Sequence, residues 1–199
     1  VCSASNNSSE WTPGENQSDE QPLQDGGEGV RNTGGEYALV LQKNCIRRVS
    51  YVGGDIVFQF DVISPEIGCM AGGSVANVGR LVFFLSERGF QMCNGVEVTP
   101  IGDEKVNRWF FAQYSREDIE GMWAAVDVRA SEVKWAMPGT PGKILCYNWV
   151  LQRWTVIETD VTGLFVGRTA NTSIDALDAI YGDLDSIDVS LDDPAFQGG

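Results

Sequence analysis

Leu81-Val82-Phe83-Phe84-Leu85-Ser86-Glu87-Arg88-Gly89-Phe90-Gln91-Met92-Cys93-Asn94-Gly95-Val96-Glu97-Val98 is the stretch on which the fold class turns. Short apolar runs rich in β-branched and aromatic residues, bounded by Gly and Asn, are strand signals. Leu81–Leu85 is apolar at every position, so an extended chain there has two apolar faces and is expected to be covered on both sides. Ser86–Gly89 and Asn94-Gly95 read as turns, with Phe90–Cys93 and Val96–Val98 as the following strands. Asn-Gly between apolar runs is the strongest short hairpin signal. If these turns join adjacent strands, Gly89 and Gly95 adopt φ > 0, where a β-carbon is strained.

The same grammar recurs on both sides. Upstream, Tyr37–Gln42, the turn Lys43-Asn44, Cys45–Val52, the turn Gly53-Gly54-Asp55 and Ile56–Ile63 form one unit, closed by Ser64-Pro65. Downstream, Val133–Met137, the turn Pro138–Gly142, Lys143–Tyr147, the turn Asn148–Gln152 and Arg153–Ile157 form another. Leu39, Phe83 and Leu145 hold comparable places, 44 and then 62 residues apart. The first spacing falls in the ~40–45 residue period of propeller blades. The second needs an insertion, which Asp103 to Glu120 supplies, with a short helix expected over Glu104–Ala112, Asp103 as its N-cap, and Val106, Trp109 and Phe110 on one face. A further short helix is expected around Ile174, Leu177, Ile180, Tyr181 and Leu184. The fold class is therefore all-β, with antiparallel blade-like sheets forming part of a β-propeller and one or two short helices in insertions. Residues 1–35 form a polar, turn-rich segment anchored at a few points such as Trp11 and Leu23, and 36–199 the blade-repeat domain.

Composition excludes several chemistries. The chain has no histidine, which removes the Ser-His-Asp and Cys-His machineries and the commonest zinc ligand. Its net charge is −14 with a pI near 4.2, so the average field repels nucleic-acid phosphates. Cys2, Cys45, Cys69, Cys93 and Cys146 are odd in number and contain no C-x-x-C pair, which argues against a disulfide framework and a thiolate zinc site. Buried free thiols in a reducing cytoplasm account for them. No apolar run approaches the ~18–20 residues that span a bilayer, and no membrane partner is expected. The missing initiating Met and the final Gly198-Gly199 lead us to expect a fragment or processed product.

Individual motifs read blandly. Asp175, Asp178, Asp183, Asp185, Asp188, Asp192 and Asp193 could offer oxygens to calcium, but the spacing lacks the EF-hand glycine and glutamate, and a solvated acidic edge is the plainer reading. Asp183 and Asp185 as a glycosidase pair have nothing that sets their separation. Trp109, Trp123, Trp135, Trp149 and Trp154 could stack on sugars, although strand aromatics are more often core. Trp149, in an expected turn, is the best exposed candidate. The Asn-x-Ser/Thr sequons at Asn6, Asn7, Asn16 and Asn171 matter only in a secretory pathway. Gly34-Gly35 and Gly72-Gly73-Ser74 lack a phosphate-loop pattern, so they read as turns. No catalytic, cofactor-binding or metal-binding residue is assigned.

Three stretches together carry a resemblance: Ser3-Ala4-Ser5-Asn6-Asn7 to Trp11-Thr12-Pro13; Gly79 through Phe90 to Asn94-Gly95, Pro100-Ile101-Gly102 and Lys105-Val106; and Leu145-Cys146-Tyr147-Asn148 to Arg153-Trp154. They resemble the β-propeller tail structural proteins of short-tailed bacteriophages, of the packaged-DNA stabilisation or tail-nozzle hub kind. The resemblance implies a non-enzymatic virion tail component, made in the bacterial host cytoplasm. It implies partners: copies of itself in a sixfold ring, portal, adaptor and other tail proteins, and genomic DNA passing without sequence-specific contact. It carries over no cofactor and no catalytic residues. Three blade-like units are fewer than a closed propeller uses, so open edges are expected. Acidic walls suit a conduit for DNA because they repel phosphates. The competing expectation is a carbohydrate-binding or sialidase-like propeller, for which Ser5 to Trp11 is a broken Ser-x-Asp-x-Gly-x-x-Trp box. A third is a generic β-sandwich interaction module.

Overall fold

In a computed structural model of the chain, residues 9–13, 15, 18, 23, 26–35, 37–53 and 58–167 are described. Their strands form three four-stranded antiparallel sheets, each a meander whose neighbours follow chain order. Sheet 1 holds β1 (Gly29–Thr33), β2 (Ala38–Gln42), β3 (Ile46–Tyr51) and β4 (Phe58–Ser64). Sheet 2 holds β5 (Ala76–Val78), β6 (Leu81–Ser86), β7 (Gly89–Cys93) and β8 (Val98–Pro100). Sheet 3 holds β9 (Trp123–Asp127), β10 (Glu132–Met137), β11 (Lys143–Asn148) and β12 (Arg153–Glu158). Two short helices, α1 (Asn107–Gln113) and α2 (Arg116–Glu120), sit in the connection between β8 and β9. The protein is mostly β, as expected. Residues 1–165 form one compact unit and 166–199 a second.

Sheet 2 is covered on both sides, and the alternation along β6 shows how. Val82 and Phe84 pack with Leu39, Leu41 and Ile46 of sheet 1, together with Cys69 and Cys93. Phe83 and Leu85 point the other way, into a larger core with Phe90, Trp135, Leu145 and Tyr147 of sheets 2 and 3 and Phe110 and Ile119 of the helices. A side-chain period of two sends adjacent residues to opposite faces, so the continuous run Leu81–Leu85 fills two cores at once. The second core is dense in aromatics: Phe90 lies 4.7 Å from Trp135 and 4.9 Å from Phe110 between ring centroids, within the range where edge-on and tilted pairs attract.

Buried polar groups are pinned to the seams. Ser74, fully buried in the 3-10 turn Gly72–Ser74, donates to the Ala71 carbonyl at 2.6 Å and accepts from the Leu85 amide at 2.9 Å. Its own carbonyl accepts from the Trp135 indole at 2.8 Å, tying sheet 3 to sheet 2. The first strands of the sheets lie toward one another. Asn77 of β5 donates to the Gly34 carbonyl just beyond β1 at 2.7 Å, and β5 also lies against β9.

Several expectations are corrected in detail. Each sheet begins one strand earlier than the sequence pattern indicates, at β1, β5 and β9. Strand β1 draws residues 29–33 of the polar segment into sheet 1. Leu145 lies in the third strand of its sheet, so the counterpart of Leu39 and Phe83 in a second strand is Trp135, 52 residues after Phe83. Val96 and Glu97 belong to a turn and not a strand: both amides donate to the Asn94 side-chain oxygen at 2.9 Å. Helix α1 starts at Asn107 without a side-chain cap, because Glu104 adopts φ 56° and breaks the helical path. The Asp103 carboxylate instead accepts from the Asn107 amide group at 2.8 Å. Helix α2, unforeseen, is opened by a reciprocal capping box between Ser115 and Asp118. The helix expected from Ile174 to Leu184 lies outside the described residues.

Candidate interaction surface

Sheets 1 and 3 each have one face against sheet 2 and one face that no other sheet of the described residues covers. On sheet 1 the partition of side chains is unusual in the half formed by β3 and β4. Arg48 pairs in register with Asp61, and Ser50 with Gln59. These polar residues lie on the side of sheet 2: Arg48 ion-pairs with Asp61 at 3.5 Å and donates to the Gly95 carbonyl of sheet 2 at 3.4 Å. The alternate residues therefore point outward. They form cross-strand rows in which Val40 adjoins Arg47 and Arg47 adjoins Val62, Val49 adjoins Phe60, and Tyr51 adjoins Phe58. The Tyr51 and Phe58 rings meet edge-on at 5.9 Å. In this half both faces are partly open: Gln59 is exposed on the polar side, and Phe58 and Phe60 are half-buried on the apolar one. Tyr51 is 75% exposed and Val62 49%. The one charge on these rows is Arg47, whose Nε donates to the Gln42 side chain at 3.1 Å.

The outward face of sheet 3 grades from apolar to charged. One row runs Trp123, Ala136, Ile144, Ile157 across β9, β10, β11 and β12. Trp123 is 51% exposed and Ile157 45%. At the other end lie Asp127, Glu132, Asn148 and Arg153. Lys134 serves two carboxylates, Asp127 at 2.8 Å and Glu132 at 3.6 Å. The hydrogen bond from Lys134, with that from the Ala130 amide, holds the Asp127 carboxyl below its usual range.

The other sequence candidates are not drawn to one place. Trp135 and Trp154 are stacked 5.5 Å apart in the core, with the Trp154 indole donating to the Ile101 carbonyl at 3.0 Å. Trp149, expected to be exposed, is half-buried and lies 5.9 Å from the Phe83 ring, because the β11–β12 turn folds back on the core. Trp109 lies under the Lys143 ammonium, 5.4 Å from its ring centroid. Of the five, Trp123 is the exposed one. A β-carbon on Gly73 would lie 2.1 Å from the Met122 carbonyl oxygen, so that glycine serves close packing. Cys69, Cys93 and Cys146 are buried free thiols, Cys45 is buried as well, and burial pushes the Cys69 thiol up to about 11. Among the described residues no His, Cys, Asp or Glu cluster could hold a metal ion, and no helix is long and apolar enough to cross a membrane. Asp175 through Asp193, including Asp183 and Asp185, lie outside the described residues, as do the sequons at Asn6, Asn7, Asn16 and Asn171.

The exposed apolar rows of β3 and β4 were missed from sequence, although their signal is present. Val49, Tyr51, Phe58, Phe60 and Val62 alternate strictly with Arg48, Ser50, Gln59 and Asp61. What the alternation leaves open is which set faces the neighbouring sheet, since a one-residue slip exchanges them. No family model matches the chain, and comparison with curated proteins returned no match.

Proposed function

We propose that the chain is a non-enzymatic structural protein that assembles with copies of itself into a ring in the tail of a short-tailed phage virion, as part of the conduit below the portal. In this reading the three meanders are propeller blades, and the portal, adaptor and other tail proteins are the further partners. Genomic DNA passes the acidic lumen without sequence-specific contact. The observation that supports it best is the stack itself: three consecutive four-stranded meanders with β5 against β9 and Asn77 reaching Gly34, ending in apolar faces at both ends. Apolar side chains left exposed on the end sheets, Tyr51, Val62, Trp123 and Ile157, call for more protein. The carbohydrate-binding alternative has less support, because four of its five tryptophans are wholly or partly packed into the core. Electron micrographs of the purified chain test the reading: rings with a central hole are expected. Particles of 21.7 kDa at every concentration would overturn it.

A further inference from the structure

Of all the asparagines in the chain, Asn94 alone is followed by glycine. Such a pair is able to modify itself, because no β-carbon crowds the glycine nitrogen as it attacks the carboxamide carbon. The new N–Cγ bond closes a succinimide, the Cγ–Nδ2 bond breaks, and the proton shed by the attacking nitrogen leaves with the ammonia. Water then opens the ring to aspartate or isoaspartate. We infer that Asn94 is a modification site of this kind, gated by the turn at 94–97: the reaction proceeds when the turn opens, and the isoaspartyl product does not re-enter it. The inference concerns the single chain and is independent of the ring.

In the closed turn both reacting groups are held. Gly95 is buried, and the Tyr37 ring stands where a β-carbon would point. Its amide donates to the Cys93 sulfur at 3.4 Å, and its carbonyl accepts from Arg48 at 3.4 Å. Attack requires this nitrogen to lose its proton, and an anion formed away from water is costly. The carboxamide is fixed as well. Its oxygen accepts from the Val96 and Glu97 amides at 2.9 Å each, and the Asn94 amide donates to the Glu97 carbonyl at 3.3 Å. Opening the turn releases all of these restraints together. The two products then differ. Aspartate keeps an oxygen for the Val96 and Glu97 amides, at the expense of meeting the Glu97 carboxylate where the Asn94 amide group now lies 3.5 Å away. Isoaspartate routes the main chain through Cγ and adds a backbone atom between residues 94 and 95. A glycine pinned at φ +86° between Tyr37 and Cys93 leaves no room for that extra length.

The test incubates the full chain at mildly alkaline pH, in buffer and in denaturing urea. Position 94 is read by peptide mass spectrometry, with isoaspartate separated from aspartate by retention. Loss of Asn94 should be at least about 10-fold slower in buffer than in urea, as for a reaction that draws on a locally opened state. Tyr37→Ala uncovers Gly95 and should speed the loss in buffer at least about 3-fold. Hydrogen exchange at the Gly95 amide of the unaltered chain serves even if that variant fails to fold: small additions of urea should raise exchange and loss of Asn94 in proportion. Equal rates in buffer and urea, or loss that does not follow exchange, would overturn the gate. An Asn94 that stays intact in urea would remove the site itself. Isoaspartyl chains returned to buffer should lack protection at Gly95 while Asn94→Asp retains it, and native exchange in the isoaspartyl chain would overturn the one-way step.

Discussion

The two seams on either side of sheet 2 are built from the same strands and differ in how well their polar groups are matched. On the side of sheet 3, the Trp135 and Trp154 indoles both donate to carbonyls at ordinary distances, and the rings around Phe83 and Phe90 fill the space between. On the side of sheet 1, Arg48 Nε and Gln91 Oε1 are buried without a hydrogen-bond partner. Gln91 pairs in register with Phe84, which faces that seam. A buried group left unsatisfied costs roughly 1–3 kcal/mol. The seam toward sheet 1 is therefore the weaker one, and sheet 1 also bears the exposed Tyr51 and Val62.

The largest expected effect lies in the stronger seam. Phe83→Ala removes a fully buried ring that meets Tyr147 and Trp149, and should cost about 3–5 kcal/mol in a denaturant melt. A loss under about 1 kcal/mol would mean that this core is looser than its packing indicates.

The weaker seam can be read through Cys69. Its thiol is raised from 9.0 to about 11, chiefly by burial. Below pH 9 the thiol is protonated in both states and stability is unaffected. As pH rises from 9 toward 11 the unfolded chain releases a proton that the folded chain keeps, so stability falls, levelling above the folded value. Two units correspond to about 3 kcal/mol. Comparing the parent with Cys69→Ala across this range isolates the thiol from other alkaline titrations; identical slopes would contradict its burial.

Turn glycines rank next. Gly95 has φ +86°, and a β-carbon there would lie 2.2 Å from the Tyr37 ring. Gly95→Val should cost roughly 1–3 kcal/mol. Gly34→Val, where nothing lies within 4 Å, should cost far less, and equal losses would show the turn misplaced. Smaller still is Gln91→Met, which removes the unpartnered oxygen at nearly constant volume. It should be neutral or stabilising by up to about 1 kcal/mol, and a clear loss would mean that a water or Arg48 satisfies the oxygen in solution.

How much of this was legible follows from burial. Leu81–Leu85 announced itself because a strand covered on both sides must be apolar throughout. The opening strands did not: Gly29–Thr33 reads GVRNT, Ala76–Val78 spans three residues, and Trp123–Asp127 contains two alanines. Short or polar strands are held by ladder pairing more than by their own side chains, so propensity is silent there. Gly89 and Gly95 were legible and do adopt φ +113° and +86°. The interaction surface was half legible, since alternation in β3 and β4 shows two kinds of face but only the register against β2 assigns them.

The smallest expected effect is the sharpest comment on the two kinds of face. Tyr51 is an aromatic of similar bulk to Phe83, also in a strand, yet 75% exposed against 0%. If the outward face of sheet 1 is open in the single chain, Tyr51→Ser should change unfolding free energy by no more than about 0.5 kcal/mol in dilute solution. The loss of the Phe58 ring contact at 5.9 Å is its principal cost. At concentrations where copies associate, the same substitution should become more damaging, because binding stabilises the folded state by mass action and the variant forfeits that gain. Melts at two widely separated protein concentrations distinguish the cases. A large loss independent of concentration would mean that the face is already covered within one chain, and the contrast between Phe83 and Tyr51 would then vanish.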